Sequence, residues 1–230
     1  VKALLAEAES GRPVTPSYRT TIPAAPASFW ARTKKVLYRQ GLHPRHPLRQ
    51  DYALSPRSFY QVNPVQTAVL YGLAIDAAHL TGKEVVLDAY CGIGTIGLTA
   101  SDKARQVVGV EVNRDAVRDA IGNAKHNGVK NARFFAADAT AWIREAADAG
   151  QKADVVFMDP PREGSTPAFI ESVARMAPKR VVYVSCNPET MARDLALLTQ
   201  KGYRAEGFTP VDMFPHSTHC EVVGSLVRVK

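Results

Sequence analysis

Four stretches of this chain bring together residue types that can do chemistry. Asp88 to Gly97 reads DAYCGIGTIG, with glycines at 92, 94 and 97 directly after the apolar run EVVL. A G-x-G-x-x-G turn between a predicted strand and a predicted helix brings backbone and helix N-terminus up to a nucleotide-bearing ligand. Acids end the strands around it: Asp88 before the loop, Glu111 on the second strand and Asp138 on the third. FMDPPREG follows the fourth predicted strand, and its two prolines stiffen the turn that carries Asp159 and Arg162. In YVSCNPETMARD, Cys186 ends the fifth strand. A free thiol has a pKa near ~8.5, and the helix starting just beyond Cys186, with a cation such as Arg162, is expected to lower it towards a reactive thiolate. Glu221 opens the last apolar strand, where a charged residue is either a solvated edge group or a placed base.

These groups are useful only if the chain gathers them at one edge. Pro64 to Leu80 has apolar residues at helical spacing, with proline at its start and Gly82 just past its end. Strand and helix then alternate. The predicted strands are Glu84–Tyr90, Gln106–Val112, Ala132–Asp138, Asp154–Met158 and Arg180–Ser185. The helices between and after them start at Thr95 and span Arg114–His126, Thr140–Asp148, Thr166–Met176 and Pro188–Gln200. The strands are short, β-branched and continuously apolar, as in a parallel sheet covered on both faces. YRAEGFTPVDMF and EVVGSLVRV break the alternation as two strands with no helix between them. Five β-α units closed by a terminal hairpin suit the Rossmann-like sheet of a class I S-adenosyl-L-methionine (SAM) methyltransferase. A dinucleotide fold would return to a sixth parallel strand through another helix.

The acids separate the same two ligands. Asp88 beside a diphosphate is repulsive, whereas beside the cationic amino-acid end of SAM it is favourable. Glu111 suits ribose hydroxyls under either reading, and Asp138 stands where an adenine amino group could be met. Three acids on successive strands at one sheet edge favour SAM over NAD.

Composition narrows the setting. Hydrophobic residues make up 46% and charged residues 22% of the 230 residues, ordinary for a globular chain. No apolar run approaches the ~20 residues of a membrane span, and no signal-peptide layout opens the chain, so neither a membrane partner nor export is expected. Three cysteines without C-x-x-C spacing argue for a reducing, cytoplasmic setting, and Cys91 reads as a buried structural thiol. HSTHC, with His216, His219 and Cys220, lacks a fourth ligand at a recognisable spacing, so no metal site is expected. His43 and His46 read as loop residues. Residues 1–57 hold ten of the 29 Lys and Arg and seven of the 15 prolines, and all of the +7 excess lies there. Such a segment is either an RNA-contacting surface or a solvated basic tail. Within it, KALLAEAE could end a helix and KKVLY is a plausible short strand. The chain starts at Val1, and the expectation is a piece of a longer protein.

Taken together and in order, SPRSFYQVNPVQT, DAYCGIGTIGL, DPPREG, YVSCNP and VDMFPHSTHCE resemble the RNA uracil-5-methyltransferase family, over about residues 54–230. The likeness is greatest to its 23S rRNA branch of Gram-positive type. The resemblance implies a catalytic domain at 58–230, preceded at 1–57 by the end of a central RNA-contacting domain. It implies a monomer acting on RNA, with the target base splayed from its stack. It further implies a cofactor site of Gln61, Tyr90, Gly92, Gly94, Thr95, Glu111, Asp138 and Asp159. Cys186 would add to carbon 6 of uracil, and Glu221 would remove the proton from carbon 5. Many members carry an N-terminal TRAM domain and an iron–sulfur cluster on four cysteines; that cysteine set is not in this chain, and such a cluster would belong to a longer form. Two positions depart from the pattern: Cys220, where a small aliphatic residue is usual, and Glu163, where a lysine is. Two other readings stay open: a methyltransferase acting on another base, and an RNA-binding fragment idle without its missing domains.

Overall fold

The apolar runs become the middle of a sheet. The computed structural model describes residues 35–39, 51–55, 58–61 and 63–229; the KALLAEAE stretch, His43, His46 and most of the basic segment lie outside the described residues. Strands β3 (Val85–Ala89), β4 (Gln106–Glu111), β5 (Ala132–Ala136), β6 (Val155–Met158), β7 (Arg180–Ser185), β8 (Tyr203–Val211) and β9 (Glu221–Arg228) form one sheet in the order β5-β4-β3-β6-β7-β9-β8. The first five are parallel, while β9 runs antiparallel to both β7 and β8. This is the expected class I methyltransferase sheet with its terminal antiparallel pair. All four residues of β6 are buried, whereas edge strand β5 is largely exposed.

Helices α1 (Pro64–Ala77), α2 (Thr95–Ala100), α3 (Arg114–His126), α4 (Ala139–Asp148), α5 (Pro167–Met176) and α6 (Pro188–Gln200) cover the sheet. Local chemistry sets where they start. Asn63, Asn113, Asp138, Thr166 and Asn187 each cap a helix with a side-chain oxygen that accepts a first-turn N–H. One core layer packs α1 against Val86, Phe157, Val184 and Val223; the other packs α4, α5 and α6 against Leu87, Val156, Tyr183 and Leu226.

Ahead of α1, β1 (Lys35–Arg39) and β2 (Asp51–Leu54) pair antiparallel, so KKVLY does form a strand and DYAL adds one that the sequence reading left out. The end of this pair is fastened to α3. Ala53 N donates to Asn123 Oδ1 at 2.8 Å, Ser55 N donates to Asp119 Oδ2 at 2.6 Å, and the fully buried Tyr52 sends its hydroxyl to the Thr95 carbonyl. No helix among the described residues is long and apolar enough to cross a membrane.

Candidate active site

Alternate side chains of a strand share a face. Two residues along from Val86, Phe157, Val184 and Val223, all under α1, stand Asp88, Asp159, Cys186 and Glu221. One sheet edge on one face therefore collects an acid from β3, an acid after β6, the thiol after β7 and the acid that opens β9. The last two are closest by topology. Ser185 pairs with Val222 across antiparallel β7 and β9, so Cys186 and Glu221 each stand one residue from that pair, at the same end of the two strands.

Burial decides the electrostatics here. Glu221 is 5% exposed, and desolvation raises its carboxyl pKa. Burial, then the Glu221 and Asp88 carboxylates, hold Asp159 well above the usual carboxylate range. Cys186 is half-buried, and its thiol is also raised, by desolvation and then by Glu221 and Asp159, with Arg162 pulling the other way. The expectation of a thiol lowered at rest is corrected on this point: Arg162 acts in the expected direction, but burial beside two carboxylates outweighs it.

Around the glycine loop the carboxylates are tied to backbone. Asp88 is 1% exposed; its Oδ2 accepts the Gly97 N–H at 2.7 Å, while the buried Oδ1 has no hydrogen-bond partner among the described residues. Desolvation pushes Asp88 up to about 7 against the Gly97 hydrogen bond, with Glu111 adding to the rise. Glu111 accepts N–H bonds from Gly92 at 3.1 Å and Asn113 at 2.8 Å, and so braces the loop from the end of β4. Tyr90 takes a left-handed backbone, φ 63°, a strained choice for a side-chain-bearing residue. Its ring leans on Phe169 and its hydroxyl lies 3.1 Å from Ser165 Oγ.

Tyr90, Gly92, Thr95 and Asp159 line one narrow cavity of about 50 Å³ together with Tyr71 and Asp88. Glu111 stands at its rim through Gly92, and buried Gln61 follows the lining residue Tyr60 in sequence. Gly94 is the left-handed N-cap of α2, φ 84°. Asp138 is placed differently from its expected position at a strand end: β5 stops at Ala136, and Asp138 is the exposed N-cap of α4, its Oδ1 accepting the Ala141 N–H. Cap geometry takes the backbone out of the ladder two residues early. A larger groove of about 670 Å³ runs along α3 and β5 past Ile121, Lys125 and Phe135. It holds none of the chemistry-bearing residues, so volume does not locate the site.

The wall of the smaller cavity suits the cationic end of a sulfonium cofactor with an ammonium group on two observations. The orphaned Asp88 Oδ1 is a buried acceptor that needs a donor or a cation. Gly92, φ 53°, has no atom within 4 Å of where a Cβ would stand, which leaves its backbone open to close approach.

Sequence reasoning missed Tyr71, one apolar-face residue of α1 among several, and the pair Arg193–Asp194 in PETMARD. Cys220 keeps its thiol on backbone carbonyls, 3.3 Å from Glu221 O and 3.9 Å from Val211 O, a local tie where β9 begins. His216 and His219 are exposed in the loop between β8 and β9, and Cys91 is buried. Among the described residues no three His, Cys, Asp or Glu side chains are grouped to hold a metal ion.

The profile of the family described as tRNA (Uracil-5-)-methyltransferase matches residues 46–229. The chain belongs to this family. An uncharacterized RNA methyltransferase of Enterococcus faecalis is 50% identical over 177 residues, 77% of this chain and 39% of its own length. One from Caldanaerobacter subterraneus is 51% identical over 178 residues, again 77% and 39%. The chain thus spans about two fifths of the length of these relatives. Among solved structures, the tRNA (uracil-54, C5)-methyltransferase of Pyrococcus abyssi, in complex with S-adenosyl-L-homocysteine, is 34% identical with a TM-score of 0.69. That match covers 84% of this chain and 45% of the archaeal one. An RNA methyltransferase fold from Pyrococcus horikoshii, at 18% identity and a TM-score of 0.57, over 74% of this chain and 87% of that one, shares the fold alone.

Proposed function

We propose that this chain is the catalytic part of an enzyme that methylates carbon 5 of a uridine in RNA, with 23S rRNA as the target. The observation that supports the reading is that β7 and β9 end side by side, Ser185 on Val222, with the carboxylates of Glu221 and Asp159 close enough to act on the Cys186 thiol. A uracil ring is too poor a nucleophile at carbon 5 to be alkylated unaided, so a pair of this kind has an evident use. The Cys186 thiolate adds to carbon 6, and the electrons of the 5,6 double bond move so that carbon 5 becomes nucleophilic. S-adenosylmethionine, when bound, supplies an electrophilic methyl group. Glu221 then takes the proton from carbon 5, the double bond reforms, and the Cys186 sulfur leaves carbon 6. A carboxyl raised by burial is a better base than one at its ordinary value, which supports Glu221 in that role.

For the cofactor, Asp88 and Asp159 would meet the cationic end, Tyr90, Gly92 and Thr95 the body, Glu111 the ribose and Asp138 the adenine, with Gln61 closing the wall. Residues 1–57 would be the end of a central RNA-contacting domain, their basic excess suited to phosphates. The whole would work as a cytoplasmic monomer.

Transfer of labelled methyl from S-adenosylmethionine to an unmodified 23S rRNA transcript, followed by nucleoside analysis, tests the reading. Label in 5-methyluridine is expected; label in any other nucleoside contradicts it. The chain's two-fifths coverage of its relatives favours one further reading, an RNA-binding piece that needs the remaining domains for turnover. In that case the cofactor binds and no label is transferred.

A further inference from the structure

Asp194 has no exposed surface, although a carboxylate in a core is tolerated only when its lone pairs are filled. Here they are. Oδ2 accepts the Ser165 N–H at 2.6 Å and the Tyr183 hydroxyl at 2.8 Å; Oδ1 accepts Arg193 Nε at 2.9 Å and Nη2 at 2.7 Å. Arg193 Nη2 also donates to the carbonyls of Glu163 and Ser165, at 3.0 and 3.1 Å. Gly164 between them is left-handed, φ 77°, and a Cβ there would come within 2.6 Å of Arg193 Nη2 and 2.7 Å of Asp194 Oδ2. The loop after Asp159 is thus closed down on α6 with no room for a side chain.

Both ends of this gripped segment touch the reaction site. At its start, the Arg162 carbonyl accepts Asn187 Nδ2 at 3.1 Å and Thr190 Oγ1 at 3.2 Å, and Asn187 is the residue after Cys186. At its end, Ser165 Oγ meets the Tyr90 hydroxyl on the wall of the cofactor cavity. We infer that Arg193 and Asp194 are positioning residues: they lock residues 162–165 so that Arg162 stands beside Cys186 while Ser165 holds Tyr90 against the cofactor. The inference rests on the reading of Cys186 as the nucleophile, and its test is independent of methyl transfer.

The charged groups acting on the Cys186 thiol are Glu221 from β9, Asp159 after β6 and Arg162 from the gripped loop; of these Arg162 favours the thiolate, alongside a smaller backbone hydrogen bond at Cys186 itself. Iodoacetamide alkylation of the full 230-residue chain, followed against pH on the peptide that bears Cys186, reads whether Arg162 is in place. In Asp194→Asn and in Arg193→Lys the midpoint of alkylation moves up by about half a pH unit or more, as expected when a cation is withdrawn. S-adenosylhomocysteine affinity falls with it. Ser165→Ala, which keeps its N–H bond to Asp194, weakens S-adenosylhomocysteine about threefold or more and leaves the midpoint in place. If Asp194→Asn does not fold, Arg193→Lys carries the test, because its charge still neutralises Asp194 but cannot reach both carbonyls. A purely structural pair would lower the melting temperature and leave midpoint and affinity at wild-type values, which overturns the inference. Unchanged affinity in Ser165→Ala removes its cofactor half. Shifted midpoints in a protein that makes no 5-methyluridine leave the positioning role standing and sink the proposed reaction instead.

Discussion

Asp88 and Glu111, on the β3–β4 side of the cleft, accept backbone N–H bonds from Gly97, Gly92 and Asn113, whereas Asp159 and Glu221, on the β6–β9 side, accept none from any described residue. The first side is positioned by the fold itself, because a carboxylate held by amides keeps its place with or without ligand. Desolvation raises Asp88 as well, but there an amide works against it; on the second side it raises Asp159, Glu221 and the Cys186 thiol together with no backbone N–H bond to either carboxylate. A binding half needs fixed acceptors; a proton-moving half needs groups whose charge can change. Cys186 and Glu221 are the pair proposed to react, while Asp159 shares their desolvation but lines the cofactor cavity.

Substitutions can break that contrast, beginning on the reactive side. Cys186→Ala abolishes methyl transfer while S-adenosylhomocysteine affinity, read by calorimetry, stays close to wild type; lost binding would mean the two halves are not separate. Glu221→Gln slows turnover by about 10²–10⁴-fold. It also accumulates a covalent protein–RNA species on denaturing gels, since addition at carbon 6 no longer has a base to complete it.

On the binding side, Asp88→Asn weakens S-adenosylmethionine by about 10- to 100-fold, as loss of a charge-assisted contact should. The sign of its pH dependence follows from a folded-state value of about 7 against 3.8 unfolded. Asp88 favours the folded apo protein fully below pH ~4, and that contribution is lost as pH rises through ~7, where the buried carboxyl must ionise. A cationic ligand wants the ionised form, so wild-type affinity should tighten by up to about tenfold per pH unit below 7 and level off above it. Asp88→Asn flattens that slope. The smallest effect lies outside both halves: Asp119→Ala frees Ser55 N and Ser58 Oγ and lowers stability by about 1–2 kcal/mol in thermal denaturation, with cofactor affinity little changed.

The sheet was legible because its strands are buried on both faces and read as unbroken apolar runs, and because prolines and caps mark the helix starts. Cys186, Glu221 and Asp159 were legible as strand-end groups of unusual type. That Cys186 and Glu221 work at one end of the sheet came only with the family resemblance, since an antiparallel register depends on how the loop between β8 and β9 returns the chain. The strand end expected at Asp138 misled for a local reason: an acid just past an apolar strand caps the next helix, so the ladder stops at Ala136. Asp194 was invisible because its partners, Tyr183, Ser165 and Arg193, come together only when the loop after β6 folds onto α6. The depressed thiol expected at Cys186 failed because desolvation, and then the Glu221 and Asp159 carboxylates, outweigh Arg162.

The central claim is that Cys186 bonds covalently to a uracil that Glu221 then clears. A 23S rRNA transcript made with 5-fluorouridine tests it directly, because fluorine at carbon 5 cannot be removed as a cation by any base. With S-adenosylmethionine present, the account expects a stable adduct whose mass is protein plus methylated RNA, mapped to the Cys186 peptide and absent in Cys186→Ala. Formation of 5-methyluridine by Cys186→Ala on ordinary transcript, or an adduct on any other residue, would contradict it.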